Sequence, residues 1–314
     1  MGQPALEAGE KIRVVADLYA RALAAPGFGQ LASMLDEDAH LELGSRDIRG
    51  RERVVRAHEE LFGAFDERSV ATSRVLRTDR AQALEWTMTG VQARDWMGVA
   101  ATRRPVVING LTLLWTNDDG FISDLHVYLD EPLVKAQLGA GPVELQTISL
   151  APPSSGRPEV YEQSGAPAES VNVRVVRAML QALEGNQEAA FLSTLADDVE
   201  VWLPARAEVA RGKDAARSYF KTMRTSIGDL DTVVQNIWGL QDLVVIEYSI
   251  AGMQWRPFGH APFQQGRLID ARVAEIAEVR DGTIERVWRY DDSGALAAAM
   301  AAHRSSPTRL VISR

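Results

Sequence analysis

The 314-residue chain contains no cysteine, which removes disulfides, thiolate nucleophiles and cysteine-based zinc sites together. It also lacks a long apolar run. Nothing approaches the roughly eighteen residues of a membrane span, and the first turns are broken by Glu7, Glu10, Lys11, Arg13 and Asp17, which the core of a secretory signal does not tolerate. A cytoplasmic location without membrane contact is the expectation. There is no basic stripe either: 34 Lys and Arg stand interspersed among 43 Asp and Glu, for a net charge of -9, so nucleic acid is not an expected partner. Metal-ligand spacing is missing too. His40, His58, His126, His260 and His303 are scattered, with no pair four apart on a helix, and Gly27-Phe28-Gly29 lies between helices rather than after a strand. Neither a metal nor a cofactor is expected.

What the chain does have is a repeat. Its length gives a prior of about two domains, and the order of elements agrees. Ile12, Val15, Tyr19 and Ala22 mark a helix; Leu31, Met34 and Leu35 suggest a short second one. A strand follows at Asp38 to Leu43, then a third helix carrying Val54, His58, Leu61 and Phe65 after Arg49-Gly50. Strand periodicity then takes over at Val70 to Arg77, Ala81 to Gln92 and Val106 to Thr116. A short helix at Glu131 to Leu138 and a strand-like Leu145 to Leu150 close the unit. After a stretch rich in Pro, Gly and Ser the series restarts. Arg49 and Arg211, Gly90 and Gly252, Gln92 and Gln254, Asp119 and Asp281, Tyr128 and Tyr290, and Asp130 and Asp292 all stand 162 positions apart. A period this long denotes two folding units rather than a solenoid. The expected division is 1–150, a linker at 151–169, and 170–314, with Leu310 to Ser313 echoing Gln146 to Ser149.

Each half ends in an Asp-Gly turn leading into a period-two strand. Ile122, Asp124, His126 and Tyr128 are expected on one face, as are Ile284, Arg286, Trp288 and Tyr290. In the first half that face offers a carboxylate, an imidazole and a phenol: a base, an acid/base and an oxyanion donor.

Three helices, an embedded strand and a terminal hairpin sheet make an α+β unit. The strand after the second helix (Asp38 to Glu42; Asp198 to Trp202), the Arg-Gly before the third helix and the Asp-Gly-x-Ile hairpin resemble the SnoaL-like branch of the NTF2-like superfamily. That resemblance implies two tandem cone-shaped domains, each with three helices on a curved antiparallel sheet around an apolar ligand-binding pocket. It further implies a cofactor-independent acid/base enzyme of the polyketide cyclase or isomerase type, acting on a small apolar carbonyl compound. Epoxide hydrolysis or cyclisation on the same fold, and a non-catalytic binding or scaffold protein, remain open alternatives. Family members pair sheet to sheet, so the tandem is expected to form an intramolecular pseudo-dimer, open to pairing again as a homo-dimer.

The catalytic candidates are Asp124, carried over from the cyclases, with His126 and Tyr128. His40, Glu42, Trp86, Trp96 and Asn109 are candidate lining groups, although strand tryptophans are more often core. His58, on the apolar stripe of its helix, reads as a core histidine. The second half replaces Asp124 by Arg286 and His126 by Trp288, keeping only Tyr290. Its polar candidates are Asp270 and Arg272, similar to the acid and arginine groups by which limonene epoxide hydrolases position water, together with Arg206, Glu247, Trp255 and His260. A surface ion pair is the plainer reading of Asp270 and Arg272.

Overall fold

The computed structural model describes residues 8–44, 46–140, 156–204, 208–256 and 265–291. The expected strands at Leu145 to Leu150 and Leu310 to Ser313, the residues Arg206, His260, Asp292 and His303, and the start of the linker lie outside them.

The first unit runs α1 (Ala8–Ala24), α2 (Gly29–Ala32), β1 (Leu35–Leu43), β2 (Arg46–Arg49), α3 (Arg51–Phe62), β3 (Phe65–Arg77), β4 (Ala81–Gln92), β5 (Pro105–Thr116), β6 (Ile122–Leu129) and α4 (Glu131–Gln137). The second repeats the series as far as its described residues run: α5 (Pro167–Glu184), α6 (Glu188–Ser193), β8 (Leu195–Leu203), β9 (Glu208–Arg211), α7 (Gly212–Ser226), β10 (Ile227–Leu240), β11 (Leu243–Gln254), β12 (Arg267–Arg280) and β13 (Thr283–Asp291). Leu35, placed by sequence on the second helix, opens β1 instead. The sheets are mixed rather than purely antiparallel, because β1 runs parallel to β6 and β8 parallel to β13. Between the units the linker contributes a strand, β7 (Glu159–Glu162), parallel to β3 at the edge of the first sheet. Its far end is fastened to the second unit, where Glu169 accepts from the backbone of Ser164, Gly165 and Gln241.

One bulge decides which face of β6 points where. Gly120 adopts φ 76, the left-handed turn conformation that glycine takes without a Cβ clash. Trp115 then pairs with Asp124, but Thr116 pairs with Ile122, so Ser123 is an extra residue. Ile122 therefore joins Leu125, Val127 and Leu129 under the helices, while Asp124, His126 and Tyr128 turn the other way. The second copy repeats the device at Glu285, between the Glu278–Arg286 and Val279–Ile284 pairs, and Ile284 is buried with Val287. Neither isoleucine shares the face of the polar residues that follow it.

Two separate cores lie between helices and sheet. A third lies between the sheets themselves: Leu76, Ala83, Leu111, Leu113 and Tyr128 of the first unit meet Leu240, Leu243, Val245, Ala274, Ile276 and Tyr290 of the second. The outer face of each sheet is thus buried against its counterpart, and Trp115 meets Trp238 edge-on across it at 6.1 Å.

Candidate active site

The Asp124, His126 and Tyr128 constellation lies at this seam, not inside a cone. His126 Nδ1 donates to Glu247 of the second sheet at 2.7 Å and the Tyr128 hydroxyl donates to the same oxygen at 2.5 Å, while Asn236 donates to the other at 2.5 Å. Glu247 is fully buried. Burial alone would raise its carboxyl pKa, but the His126, Tyr128 and Asn236 bonds outweigh that and hold it below the usual range. Burial would likewise discharge His126; its bonds to Asp124 and Glu247 prevail and lift it to about 9. Asp124 sits at the rim, half-exposed, with His40 Nδ1 at 3.0 Å and His126 Nε2 at 3.3 Å.

Across the approximate two-fold relation the partner arrangement is Glu85, the counterpart of Glu247. Tyr290 donates to Glu85 as Tyr128 does to Glu247. The cation is supplied differently. Arg74, counterpart of Asn236, grips Glu85 with two bonds at 2.6 and 2.9 Å and lays its guanidinium 3.8 Å from the centre of the Trp288 ring. Each buried carboxylate therefore has a tyrosine from across the seam and one cation, from its own sheet in one case and from the opposite sheet in the other.

The cone interiors differ from both. In the first, Tyr19 and His58 are bonded at 3.0 Å and Trp86 donates to Thr112 at 3.0 Å. A Cβ on Gly110 would lie 2.3 Å from the Trp86 ring, so the indole packs directly on that strand's backbone. Burial pushes His58 down to about 4 despite its bond to the Val54 carbonyl, and Arg46 adds to the fall. The folded chain thus refuses a proton that the unfolded chain accepts below about 6.5, so this contribution to stability is complete above that pH and is lost as pH falls toward 4. The gap is worth up to about 3 kcal/mol. A Tyr19→Phe/His58→Phe variant is expected to flatten that acid limb in urea titrations across this range; an unchanged limb would mean that the imidazole already carries a proton inside the cone.

The second cone holds charge. Glu275 on β12 and Arg289 on β13 are register partners, and alternation places Glu275 with Val273 and Ala277 on the face beneath the helices. Arg289 Nη1 donates to Glu275 at 3.2 Å and to the Tyr219 hydroxyl of α7 at 2.7 Å; Tyr248 donates to Glu275 at 2.9 Å. Asp291, two residues along β13 and half-exposed, stands 3.5 Å from Arg289 Nε. The Tyr248 and Arg289 bonds to Glu275 both fall on Oε1, leaving Oε2 buried with no hydrogen-bond partner. Burial raises the Glu275 carboxyl above its ordinary range, with Arg289 and Tyr248 opposing only in part. The first cone has Thr112 and Val127 at the equivalent register positions.

The other expected residues disperse. Trp86 and Trp96 are buried in the first core, the latter donating to the Leu61 carbonyl at 2.8 Å. Asn109 faces the seam, accepting from Thr87 at 2.6 Å and reaching the Pro204 carbonyl. Trp255 is exposed and lies over Gly228, where a Cβ would overlap its ring. Asp270 is exposed, and Arg272 turns away from it to the Glu42 carboxylate of the first unit. Trp288 and Tyr290 belong to the seam, not to a cone. His40 on β1 comes together with Asp124 and His126 on β6 closely enough to offer donors to one metal ion, as do Glu42, His126 and Glu247. An open surface cleft is lined by Asp197, Glu200, Arg211 and Arg286.

The sequence profile described as SnoaL-like domain matches residues 15–125 and again 176–287. No curated protein matches. Among solved structures, the chain is similar to a putative SnoaL-like polyketide cyclase from Jannaschia sp. CCS1, at 22% identity and TM-score 0.40, covering 46% of this chain and 99% of that one. An LEH-like epoxide hydrolase from M. tuberculosis matches at 20% identity and TM-score 0.36, covering 44% and 98%. A putative ketosteroid isomerase from Kribbella flavida DSM 17836 matches at 18% identity and TM-score 0.32, covering 40% and 80%.

Proposed function

The chain belongs to the SnoaL-like domain family, with one copy of the domain in each half, and from that premise we propose that it is an acid/base enzyme acting on a small apolar oxygenated compound in its C-terminal cone. The observation that carries this reading is the buried, unpartnered Oε2 of Glu275, in a carboxyl whose pKa is raised by burial. A buried carboxyl pushed toward its protonated form, with one oxygen unpartnered, is suited to give a proton to an oxygen of a bound compound.

Two carboxyl groups flanking one guanidinium favour the opening of an epoxide. The Asp291 carboxylate takes a proton from water as its oxygen forms a bond to a ring carbon. The ring C–O bond breaks, and the departing oxygen receives the Glu275 proton, giving a vicinal diol. Asp291, half-exposed, returns its proton to solvent while Glu275 recovers one, with Arg289 offsetting the negative charge on either acid. A hydroxyl of the substrate in place of water would give a cyclic ether. In this reading Glu275, Asp291 and Arg289 supply the acid and arginine groups expected at Asp270 and Arg272.

A second reading keeps the site and changes the substrate. The Tyr219 and Tyr248 hydroxyls beside Glu275 are suited to an enolate oxygen, so a carbonyl compound would exchange its α-proton through Glu275. The two readings separate in isotopic solvent: incorporation of labelled water into a diol marks epoxide opening, and deuterium at an α-carbon marks enolisation. In either case Glu275→Gln is expected to lower turnover about 10²–10⁴-fold, while Asp124→Asn at the seam rim leaves it within a few-fold. The opposite ranking would return the chemistry to the first unit.

A further inference from the structure

The rim of the seam holds a cluster that acid/base chemistry in the second cone does not use. His40 on β1 and His126 on β6 each give one ring nitrogen to a carboxylate outside the cluster: His40 Nε2 to Asp47 at 3.0 Å, and His126 Nδ1 to Glu247 at 2.7 Å. Since a carboxylate accepts, those nitrogens carry hydrogen. In the neutral ring the other nitrogen then has only a lone pair. Both remaining nitrogens converge on Asp124 Oδ1, His40 Nδ1 at 3.0 Å and His126 Nε2 at 3.3 Å, and Glu42 Oε2 lies 3.4 Å from the latter. A proton shared with Asp124 holds such donors together in the metal-free chain, and a metal ion can take its place among the same atoms.

We propose that His40 Nδ1, Asp124 Oδ1 and His126 Nε2, with Glu42 beside them, bind a divalent transition-metal ion of the zinc class. Donors about 2.0–2.1 Å from a tetrahedral zinc stand about 3.3 Å apart, which is the spacing the three contacts show. Imidazole with carboxylate selects zinc, cobalt and their neighbours over magnesium and calcium. A ligating histidine whose second nitrogen is anchored on a carboxylate is the usual support of such sites, and both histidines have it. The two rings cross nearly at right angles, with centroids 6.3 Å apart, so their nitrogens approach a common point without the rings clashing. Asp124, half-exposed, supplies the entry path. Arg272 of the second unit, pressed against Glu42 and one-third exposed, is the cation that the metal would displace toward solvent.

The ligands come from adjacent parallel strands of the first sheet, and the Glu247 support comes from the second. The ion would therefore brace the seam. The test is titration of the full chain, stripped with a chelator, by zinc chloride in a calorimeter and by cobalt(II) followed in the visible. The expected result is one ion per chain, d–d bands of cobalt in a nitrogen and oxygen field, and a higher Tm. His40→Gln and Asp124→Asn are each expected to abolish saturable binding at micromolar metal, and Asp47→Asn to weaken it about 10–100-fold. Because His40 and Asp124 lie at the rim, a preserved circular-dichroism spectrum confirms that either variant folds. No saturable binding to wild type, which would leave the cluster held by protons alone, or binding that survives both His40→Gln and Asp124→Asn, overturns the proposal.

Discussion

Replacing Glu247 by alanine is expected to remove about 3–5 kcal/mol of unfolding free energy, because it takes away the fully buried partner of the His126 cation and leaves that ring only Asp124 and Glu42 on its other nitrogen. His126, Tyr128 and Asn236 all lose their acceptor at once. The approximate two-fold relation supplies a sharper version of the experiment. His126→Trp alone leaves Glu247 charged and without its cation, and a loss of similar size follows. Adding Asn236→Arg rebuilds the arrangement found around Glu85, with the guanidinium gripping the carboxylate and stacked on an indole. Both positions sit just after a bulge in the equivalent strand pair, between Thr72 and Arg74 and between Val234 and Asn236, so the backbone already accommodates the exchange. The double variant is expected to recover most of the lost stability in urea titrations. If it unfolds as readily as His126→Trp, the two carboxylate sites are not interchangeable and the seam is tuned by some other contact.

Arg289→Met is the second large effect. It leaves Glu275 buried beside two tyrosines with no cation, so its carboxyl is raised further and the loss reaches about 3–5 kcal/mol only at a pH high enough to keep it ionised. Arg289→Met/Glu275→Leu removes both charges, and replacement of a buried pair by apolar groups of similar volume is often neutral or stabilising by about 1–4 kcal/mol. The double variant is therefore expected to match or exceed wild type in Tm and to be inert toward epoxides and carbonyl compounds alike. A double variant that retained turnover would remove this cone from the mechanism.

Period-two alternation identified the partners along β6 correctly as far as Asp124, His126 and Tyr128. It could not say which face the helices cover. The signal for that was the apolar alternate set, Leu125, Val127 and Leu129, which takes the core side because it buries the most hydrocarbon. The bulges at Ser123 and Glu285 were invisible, since an extra residue in a strand changes no composition. Glu275, Arg289 and Asp291 carry no motif, and the conspicuous aromatics of β13, Trp288 and Tyr290, occupy the opposite face of that strand. Glu275 stands between Val273 and Ala277 on an otherwise aliphatic face, and a charge in that position must be paired when buried. That contradiction was available without coordinates. The 162-residue offset, by contrast, fixed the tandem plan and the Arg-Gly entries to α3 and α7.

The seam described above bonds one carboxylate through Arg74 and the other through His126. In an assembly of two identical chains every change at such a contact appears twice, once on each side, and must be tolerated in both settings together. Covalent fusion lifts that restriction. A single gene with two separately mutable halves can give up the cation at Asn236 on one side, keep Arg74 on the other, and free a histidine and an aspartate for a different task without duplicating the cost.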